Sequence, residues 1–405
     1  ANEAGILARP PALDFAAVMA RKARIVEQIA ADERDERFTS AGIEVVHGGA
    51  RFVDDHAVEV AGRTIRGRRF VIATGSRPSV PPIPGLDTVP YLTNETVFDL
   101  ARLPARLVVL GGGPIGLELA QAFRRLGSAV AVVELEERLL LCDDWEAGEL
   151  VVDVLRGEGV DLRLGAQVER VERHAAETVV RLRGGEALPC DELLVATGRT
   201  GSTEGLGIEL ALDTGYVTVD ERCRTSLPHV YAAGDVTGEL QFTHVAAHEG
   251  TVAGQNAAGK RAKRNERVIP WVTFLDPEIA HVGLTETQAR KQHRSVEVLR
   301  FPMACVDRAR IHERTAGFVK LVSARRPLLG RLGGGVLVGA EIVGPNAGEL
   351  IGECALAIRT GCFAGRIAQT VHAYPTVSLG VQQAESQRFP VGRALSPSGR
   401  DGRRR

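Results

Sequence analysis

Residues Arg106–Glu134, RLVVLGGGPIGLELAQAFRRLGSAVAVVE, constrain this chain more than any other stretch. An apolar run, Leu107–Leu110, follows Pro104 and ends in glycines, as a buried strand does. Gly111, Gly113 and Gly116 give a Gly-x-Gly-x-x-Gly turn, and Pro114 takes a first helical position, where its missing N–H costs nothing. Leu117, Leu119, Ala120, Phe123 and Leu126 recur at helical spacing, Gly127 ends the helix, and a second apolar strand, Ala129–Val133, terminates in Glu134. Backbone N–H groups at such a helix start face a pyrophosphate, glycines permit close approach, and an acid after the second strand accepts ribose hydroxyls. A glycine turn alone is usually structural. With strand, helix, strand and acid all in place, it predicts a nicotinamide-dinucleotide site.

At 405 residues the chain has room for two to three domains with large cores. Its 50 basic and 51 acidic residues argue against a nucleic-acid binder driven by bulk electrostatics. No apolar run approaches the ~20 residues of a membrane helix, and no signal peptide opens the sequence. Six scattered cysteines without a Cys-x-x-Cys pair indicate neither a metal site nor a disulfide framework. A reducing, cytoplasmic setting without membrane or nucleic-acid partners is expected.

Residues 1–40 are rich in Ala and Arg, with an amphipathic pattern through Phe15, Val18, Ile25, Val26 and Ile29. It reads as a helix entered midway, with no capping sequence before it. Ile43–Val46, Ala50–Val53, Ala57–Val60 and Arg63–Ile65 suggest a small antiparallel meander. Arg69–Pro84 runs from an apolar strand through Thr74-Gly75 into a proline-rich connection. After Glu134 come a helix over Glu146–Leu155 and strands at Val160–Leu164, Val168–Glu172 and Thr178–Leu182. Leu193–Arg199, LLVATGR, then echoes Val71–Arg77, VIATGSR, pairing Gly198 with Gly75 and suggesting two doubly wound domains. In TSLPHVYAAGDVT a strand meets Gly234-Asp235 ahead of a helix over His244–Ala258, an arrangement able to hold a polyhydroxyl ligand.

Taken together, Gly111–Gly116 with Glu118 and Glu134, the two Ala-Thr-Gly turns and Thr225–Asp235 resemble the pyridine nucleotide–disulfide oxidoreductases. That family includes dihydrolipoamide dehydrogenase, glutathione reductase and mercuric reductase. GGGPIGLELAQAFRRLGS and WVTFLDPEIAHVGLTE are most similar to mercuric-reductase-like members, and the similarity runs from about Ala1 to Phe389. The resemblance implies an α/β fold with two Rossmann-like nucleotide-binding domains and a C-terminal α+β dimerisation domain. FAD binding falls to residues 1–104 and 224–266, NAD(P) binding to 105–223 and homodimerisation to 267–390, with 391–405 a disordered basic tail. Asp235 with Gly234 matches the acid that holds the flavin's ribityl chain, and Thr74, Gly75 and Gly198 join the cofactor-binding residues. Glu134 stands where NADH-preferring members keep an acid, and Glu118 matches a glutamate paired with a lysine beside the flavin.

The departures carry as much weight. Family members open with a strand, a second glycine-rich loop and a helix bearing two redox cysteines; here the resemblance enters just after that helix, as in an N-terminally truncated copy. Cys354 and Cys362 lie eight positions apart on a predicted helix, ~12 Å of rise and too far for a disulfide. The family's C-terminal His-x-His-Pro-Thr-x-Ser-Glu reads His372-Ala373-Tyr374-Pro375-Thr376-Val377-Ser378-Leu379, so Tyr374 replaces the catalytic histidine and Leu379 the glutamate. Tyrosine is a poor base near neutral pH but a usable hydroxyl. Mercuric reductases resemble this in placing a tyrosine there. Tyr374, Glu118 and His372 are therefore the candidate catalytic residues, with packing the alternative for Tyr374 and His372. The expected activity is hydride transfer from NADH through FAD to an acceptor such as Hg(II), a quinone or a disulfide. The alternatives are an inactive nucleotide-binding dimeric remnant and a dihydrolipoamide dehydrogenase.

Overall fold

The computed structural model describes residues 13–175, 177–238, 240–325 and 334–389; the basic tail expected at 391–405 lies outside them. The chain divides into two compact units, residues 1–139 with 151–265, and residues 140–150 with 266–405.

In the first unit, α1 (Phe15–Ala30) precedes α2 (Asp35–Ser40). Contrary to the uncapped start expected from sequence, the Asp14 carboxylate accepts the Ala17 N–H at 3.0 Å. The apolar periodicity is real, yet no residue of α1 is buried, and Val26 and Ile29 are 57% and 63% exposed. Periodicity marks a face able to be covered, not one that is. The meander has three strands, β1 (Arg51–Asp54), β2 (Ala57–Val60) and β3 (Arg63–Arg66), in antiparallel register. Ile43–Val46 is not a strand: among the described residues no neighbour pairs with it, and Ile43 stands 52% exposed.

The two Ala-Thr-Gly segments give the unit its frame. β4 (Phe70–Ile72) is followed by β5 (Ser76–Pro78). β6 (Arg106–Leu110), β7 (Ala129–Val133) and β8 (Asp161–Arg163) align in parallel, with α3 (Pro114–Leu126) crossing from β6 to β7 and α4 (Trp145–Gly157) leading towards β8. β9 (Val168–His174), β10 (Glu177–Leu182) and β11 (Ala187–Cys190) form an antiparallel sheet. β12 (Glu192–Val195) joins β6 to complete the parallel order β12-β6-β7-β8. Leu107, Val108, Val109 and Leu110 are each at most 3% exposed, as expected for a parallel sheet covered on both faces. Leu117, Ala120 and Phe123 bury the inner face of α3.

After β12, β13 (Arg199–Gly201) pairs antiparallel with β5, so the chain beyond one Ala-Thr-Gly turn is stitched to the chain beyond the other. The hairpin β14 (Leu212–Asp213) and β15 (Tyr216–Val217) precedes β16 (Val230–Ala232), which runs parallel to β4 and leads to α5 (Thr243–Ala257). Among the described residues β4 and β16 make a two-stranded sheet, and Val71 of β4 is 41% exposed.

The second unit is an antiparallel sheet in the order β17-β18-β21-β20-β19. Its strands are β17 (Pro270–Thr273), β18 (Glu278–Gly283), β19 (Val296–Pro302), β20 (Phe318–Ala324) and β21 (Val336–Gly344). α6 (Glu286–Gln292) carries a Thr285–Gln288 capping box, and α7 (Asp307–Ile311), α8 (Ala347–Thr360), α9 (Gly365–Gln369) and α10 (Leu379–Ser386) complete it. One core joins the sheet to α8 and α10, with Val319, Leu321, Ile342 and Cys354 fully buried. α8 stops before Cys362: Gly361 adopts a left-handed conformation and the Cys362 N–H returns to the Ala357 carbonyl. The single helix expected over Cys354 and Cys362 is therefore corrected, and both thiols are free. Strand register sets Trp271 opposite His281, His281 opposite Glu341, Glu341 opposite Lys320 and Lys320 opposite Arg300, a row with one residue from every strand.

Among the described residues no helix is long and apolar enough to cross a membrane.

Candidate functional site

β6 delivers the chain into Gly111 at φ +110°, and α3 begins with Pro114 directly after Gly113. A Cβ on Gly111 would meet the Ala196 carbonyl oxygen at 2.3 Å, and one on Gly116 the Gly111 carbonyl oxygen at 2.2 Å. Both glycines are thus required by close backbone packing. Gly113 differs: nothing lies within 4 Å of a Cβ built there, so the loop is open at that point. Glu134, just past β7, turns back over the loop. Its Oε2 accepts the Gly112 N–H at 2.5 Å and its Oε1 the Glu136 N–H at 2.8 Å. A carboxylate thus stands at the open mouth of a helix N-terminus. Glu118 is half-buried one turn into α3.

A second group forms where β5 meets β13. The Ser76 hydroxyl donates to Asp235 Oδ2 at 2.7 Å. Arg199 Nε donates to Ser76 Oγ at 2.7 Å and lies 3.7 Å from Asp235 Oδ2. Arg199 also reaches the Ser76 carbonyl at 2.9 Å and Asn94 Oδ1 at 3.2 Å. Behind them the Gly234 N–H donates to Glu249 Oε2 at 2.8 Å, and Glu249 pairs with Arg264 at 2.9 Å, both almost fully buried. Thr74 and Gly198 are tied into the same frame: the Thr74 hydroxyl donates to the Ser202 carbonyl at 2.8 Å, and the Ser79 N–H to the Gly198 carbonyl at 2.9 Å. Gly75 carries φ +72°, and its carbonyl accepts the Ser202 N–H.

Thr74, Gly75, Gly198 and Asp235 therefore converge, joined by Ser76, Arg199, Glu249 and Arg264, which sequence reasoning missed. The signal for two of them was present. Ser76 and Arg199 occupy equivalent places, each directly after the glycine of an Ala-Thr-Gly turn.

The second unit holds the other candidates. Tyr374 is 73% exposed, and its hydroxyl donates to Asp307 Oδ2 at 3.2 Å. His372 Nε2 lies 3.0 Å from Glu353 Oε2, and Nδ1 is 2.9 Å from the Thr370 carbonyl. Burial lowers the His372 pKa, but Glu353 and that carbonyl outweigh it and hold it above the ordinary histidine value. Burial pushes the Cys190 thiol up to about 12 and raises those of Cys354 and Cys142, so these three are not poised as thiolates.

The polar row across the second unit's sheet was not legible from sequence. The segment Cys142–Glu146 lies over it. Trp271 Nε1 donates to Asp143 Oδ1 at 2.8 Å, and its ring stacks on His281 at 4.3 Å. His281 Nδ1 faces Glu341 Oε2 at 2.9 Å, and the Asp144 N–H donates to the same oxygen at 2.9 Å. Lys320 Nζ reaches Glu146 at 2.7 Å, Glu286 at 2.9 Å and Asp144 at 3.3 Å. Arg300 pairs with Glu146 and Arg290 with Glu286.

Comparison with known proteins agrees with this geometry. The profile of the pyridine nucleotide-disulphide oxidoreductases matches residues 6–250, and that of their dimerisation domain residues 269–385. The mercuric reductase of Bacillus cereus is 36% identical over 381 residues, covering 92% of this chain and 59% of that protein. This chain thus spans less than two thirds of that relative's length. The dihydrolipoyl dehydrogenase of Thermus scotoductus is 38% identical over 358 residues, covering 84% of this chain and 74% of its own. Among solved structures, the HOCl-induced flavoprotein disulfide reductase RclA of Escherichia coli superposes with a TM-score of 0.84 at 29% identity, over 92% of this chain and 86% of that one. With both profiles matched in order, the chain belongs to the pyridine nucleotide-disulphide oxidoreductases, a family of FAD-dependent enzymes that use NAD(P)H.

Proposed function

We propose for this chain the function of a mercuric-reductase-like NADH oxidoreductase, in which electrons pass from NADH through FAD to an acceptor of the Hg(II), quinone or disulfide type. The observation that carries this reading is the open glycine loop at Gly113 with Glu134 over its mouth. A nicotinamide dinucleotide fits those residues: the Gly113 side of the loop is free of atoms, and the Gly112 N–H and the Glu134 carboxylate are ready to exchange their mutual contact for the ligand. An acid at that place favours a ribose bearing free hydroxyls and repels a 2′-phosphate, which supports NADH over NADPH.

For FAD the described residues fit in part. Asp235, oriented by Ser76 and Arg199, is placed to accept hydrogen bonds from a polyhydroxyl chain, with Thr74, Gly75, Gly198 and Gly234 shaping the backbone around it. Bound flavin would supply hydride acceptance from the nicotinamide and onward electron transfer. In this reading residues 1–104 with 224–266 serve the flavin, 105–223 the nicotinamide nucleotide and 267–390 a homodimer contact. Glu118 stands beside the flavin, and Tyr374, aligned by Asp307, offers a hydroxyl to the acceptor with His372 behind it.

The thiols favour a second reading for the 405-residue chain itself. Its six cysteines form no disulfide with one another, and burial holds the Cys354 thiol protonated, which supports a nucleotide-binding dimer with little disulfide reductase activity of its own. Titration of the purified chain with NADH and NADPH, followed by nucleotide fluorescence and visible absorption, tests both readings. NADH should bind at least about tenfold more tightly than NADPH, an advantage of ~1.4 kcal/mol. Flavin bands that bleach on adding NADH would support the oxidoreductase; a colourless chain that still binds NADH would support the remnant. Tighter binding of NADPH would overturn the role given to Glu134.

A further inference from the structure

We propose that Asp143, His281 and Glu341 form a buried site for one divalent first-row transition-metal ion. Each offers a ligand atom, and these atoms lie within 4.8 Å of one another. His281 and Glu341 are each 1% exposed and Asp143 is 6% exposed, so this is not a solvated acidic patch.

The histidine's two contacts define the site. Its Nε2 faces the Gly283 carbonyl at 3.1 Å, so Nε2 carries a proton. In the neutral ring Nδ1 is then a lone-pair nitrogen, and it points at Glu341 Oε2 from 2.9 Å. Two lone pairs do not face each other at that distance without a proton or a cation between them: a second ring proton, a proton on the Glu341 carboxyl, which burial pushes up to about 7, or a metal ion. Two ligands held at right angles ~2.1 Å from a metal stand about 3 Å apart, which is the separation found. Independently, Glu341 Oε1 is buried without any hydrogen-bond partner, a costly state for a carboxylate oxygen and one that a cation relieves.

The charges around the site favour the cation. Five carboxylates, Asp143, Asp144, Glu146, Glu286 and Glu341, meet three fixed cations, Arg290, Arg300 and Lys320. With all five ionised, two positive charges are wanting. Burial raises the Glu341 carboxyl to about 7 and raises that of Asp143, so protons on these groups or on His281 are the alternative source. A divalent ion bound to neutral His281 supplies both, and one imidazole with two carboxylates suits zinc, manganese or iron(II). The supporting contacts are those of a metal centre: a backbone carbonyl fixes the histidine tautomer, and the Trp271 N–H orients the Asp143 carboxylate.

Zn(II) is the probe. The full chain, stripped with chelator and dialysed against zinc in a nitrilotriacetate buffer, should retain about one zinc per chain by plasma mass spectrometry and melt at a higher temperature than the stripped form. D143N and E341Q should each weaken uptake by more than about tenfold. On the wild-type protein, zinc K-edge absorption should show a nitrogen and oxygen shell with imidazole scattering. This readout does not depend on the variants folding. Uptake below about a tenth of an equivalent, uptake unchanged in both variants, or sulfur in the first shell would each overturn the site. Because uptake is measured without nucleotide or flavin, failure here leaves the NADH reading untouched.

Discussion

In the parallel sheet β12-β6-β7-β8 the central strand buries Leu107, Val108, Val109 and Leu110, and β12 buries Leu193, Leu194 and Val195, all within 3% of full burial. In the antiparallel sheet of the second unit the same depth holds His281, Glu341 and Lys320, each 1% exposed, flanked by Trp271 and Arg300. Both sheets exclude water; only one does so with charge. Apolar burial is non-directional, so the first sheet depends on volume and shape. The second depends on every charge meeting its partner, because a buried charge left alone costs several kcal/mol.

Introducing the same residue into both sheets separates these cases most widely. Lys320→Met removes the cation shared by Asp144, Glu146 and Glu286 and should destabilise the second unit by about 3–5 kcal/mol. Leu194→Met, at a site with 0% exposure in β12, nearly conserves volume and should cost under ~1.5 kcal/mol. Urea unfolding of both variants measures the gap. If Lys320→Met costs no more than Leu194→Met, the row contributes nothing as a charge network, and the contrast between the sheets fails.

A finer test lies inside the nucleotide loop. Gly116→Ala drives a methyl to 2.2 Å from the Gly111 carbonyl oxygen and should cost about 1–3 kcal/mol of stability. Gly113→Ala meets nothing within 4 Å and already has φ −82°, so stability should change by less than ~1 kcal/mol. Its methyl would stand where a pyrophosphate approaches, and NADH affinity should fall about tenfold. Melting curves with NADH titration tell the two apart; a Gly113→Ala variant that binds NADH unchanged would move the nucleotide away from this loop.

The contrast between the sheets also explains what the sequence disclosed. β6, α3 and β7 were legible because a covered parallel strand reads as a continuous apolar run, and glycine and proline mark the helix start. Glu134 was legible because its place directly after β7 is local. The polar row was not. Its residues, 271, 281, 341, 320 and 300, become neighbours only through strand register, and a lysine within FVKLV ordinarily reads as the solvent-facing side of a strand. The equivalent places of Ser76 and Arg199 were visible in the two turns, but not their contact, which depends on β5 pairing with β13 across more than a hundred residues. α1 failed in the opposite direction, since amphipathic spacing was visible but its coverage was not.

The smallest expected effect asks whether charge also responds to pH at His372, another histidine of the second unit. Glu353 and the Thr370 carbonyl raise the His372 pKa against the pull of burial. A histidine whose folded pKa is raised adds stability that is fully present below its unfolded value, about 6.5, and fades as pH rises through the folded value. Glu353→Gln removes the charged partner and leaves a hydrogen-bonding side chain of the same shape. The wild type should therefore exceed this variant by up to about 1 kcal/mol near pH 6, and the two should converge above about pH 8. Leu194→Met, which replaces one buried apolar side chain by another, should track the wild type with a constant offset over that range. A gap between wild type and Glu353→Gln that stays constant from pH 6 to 8 would mean that His372 is held by its hydrogen bonds alone, and that its proton adds nothing to the fold.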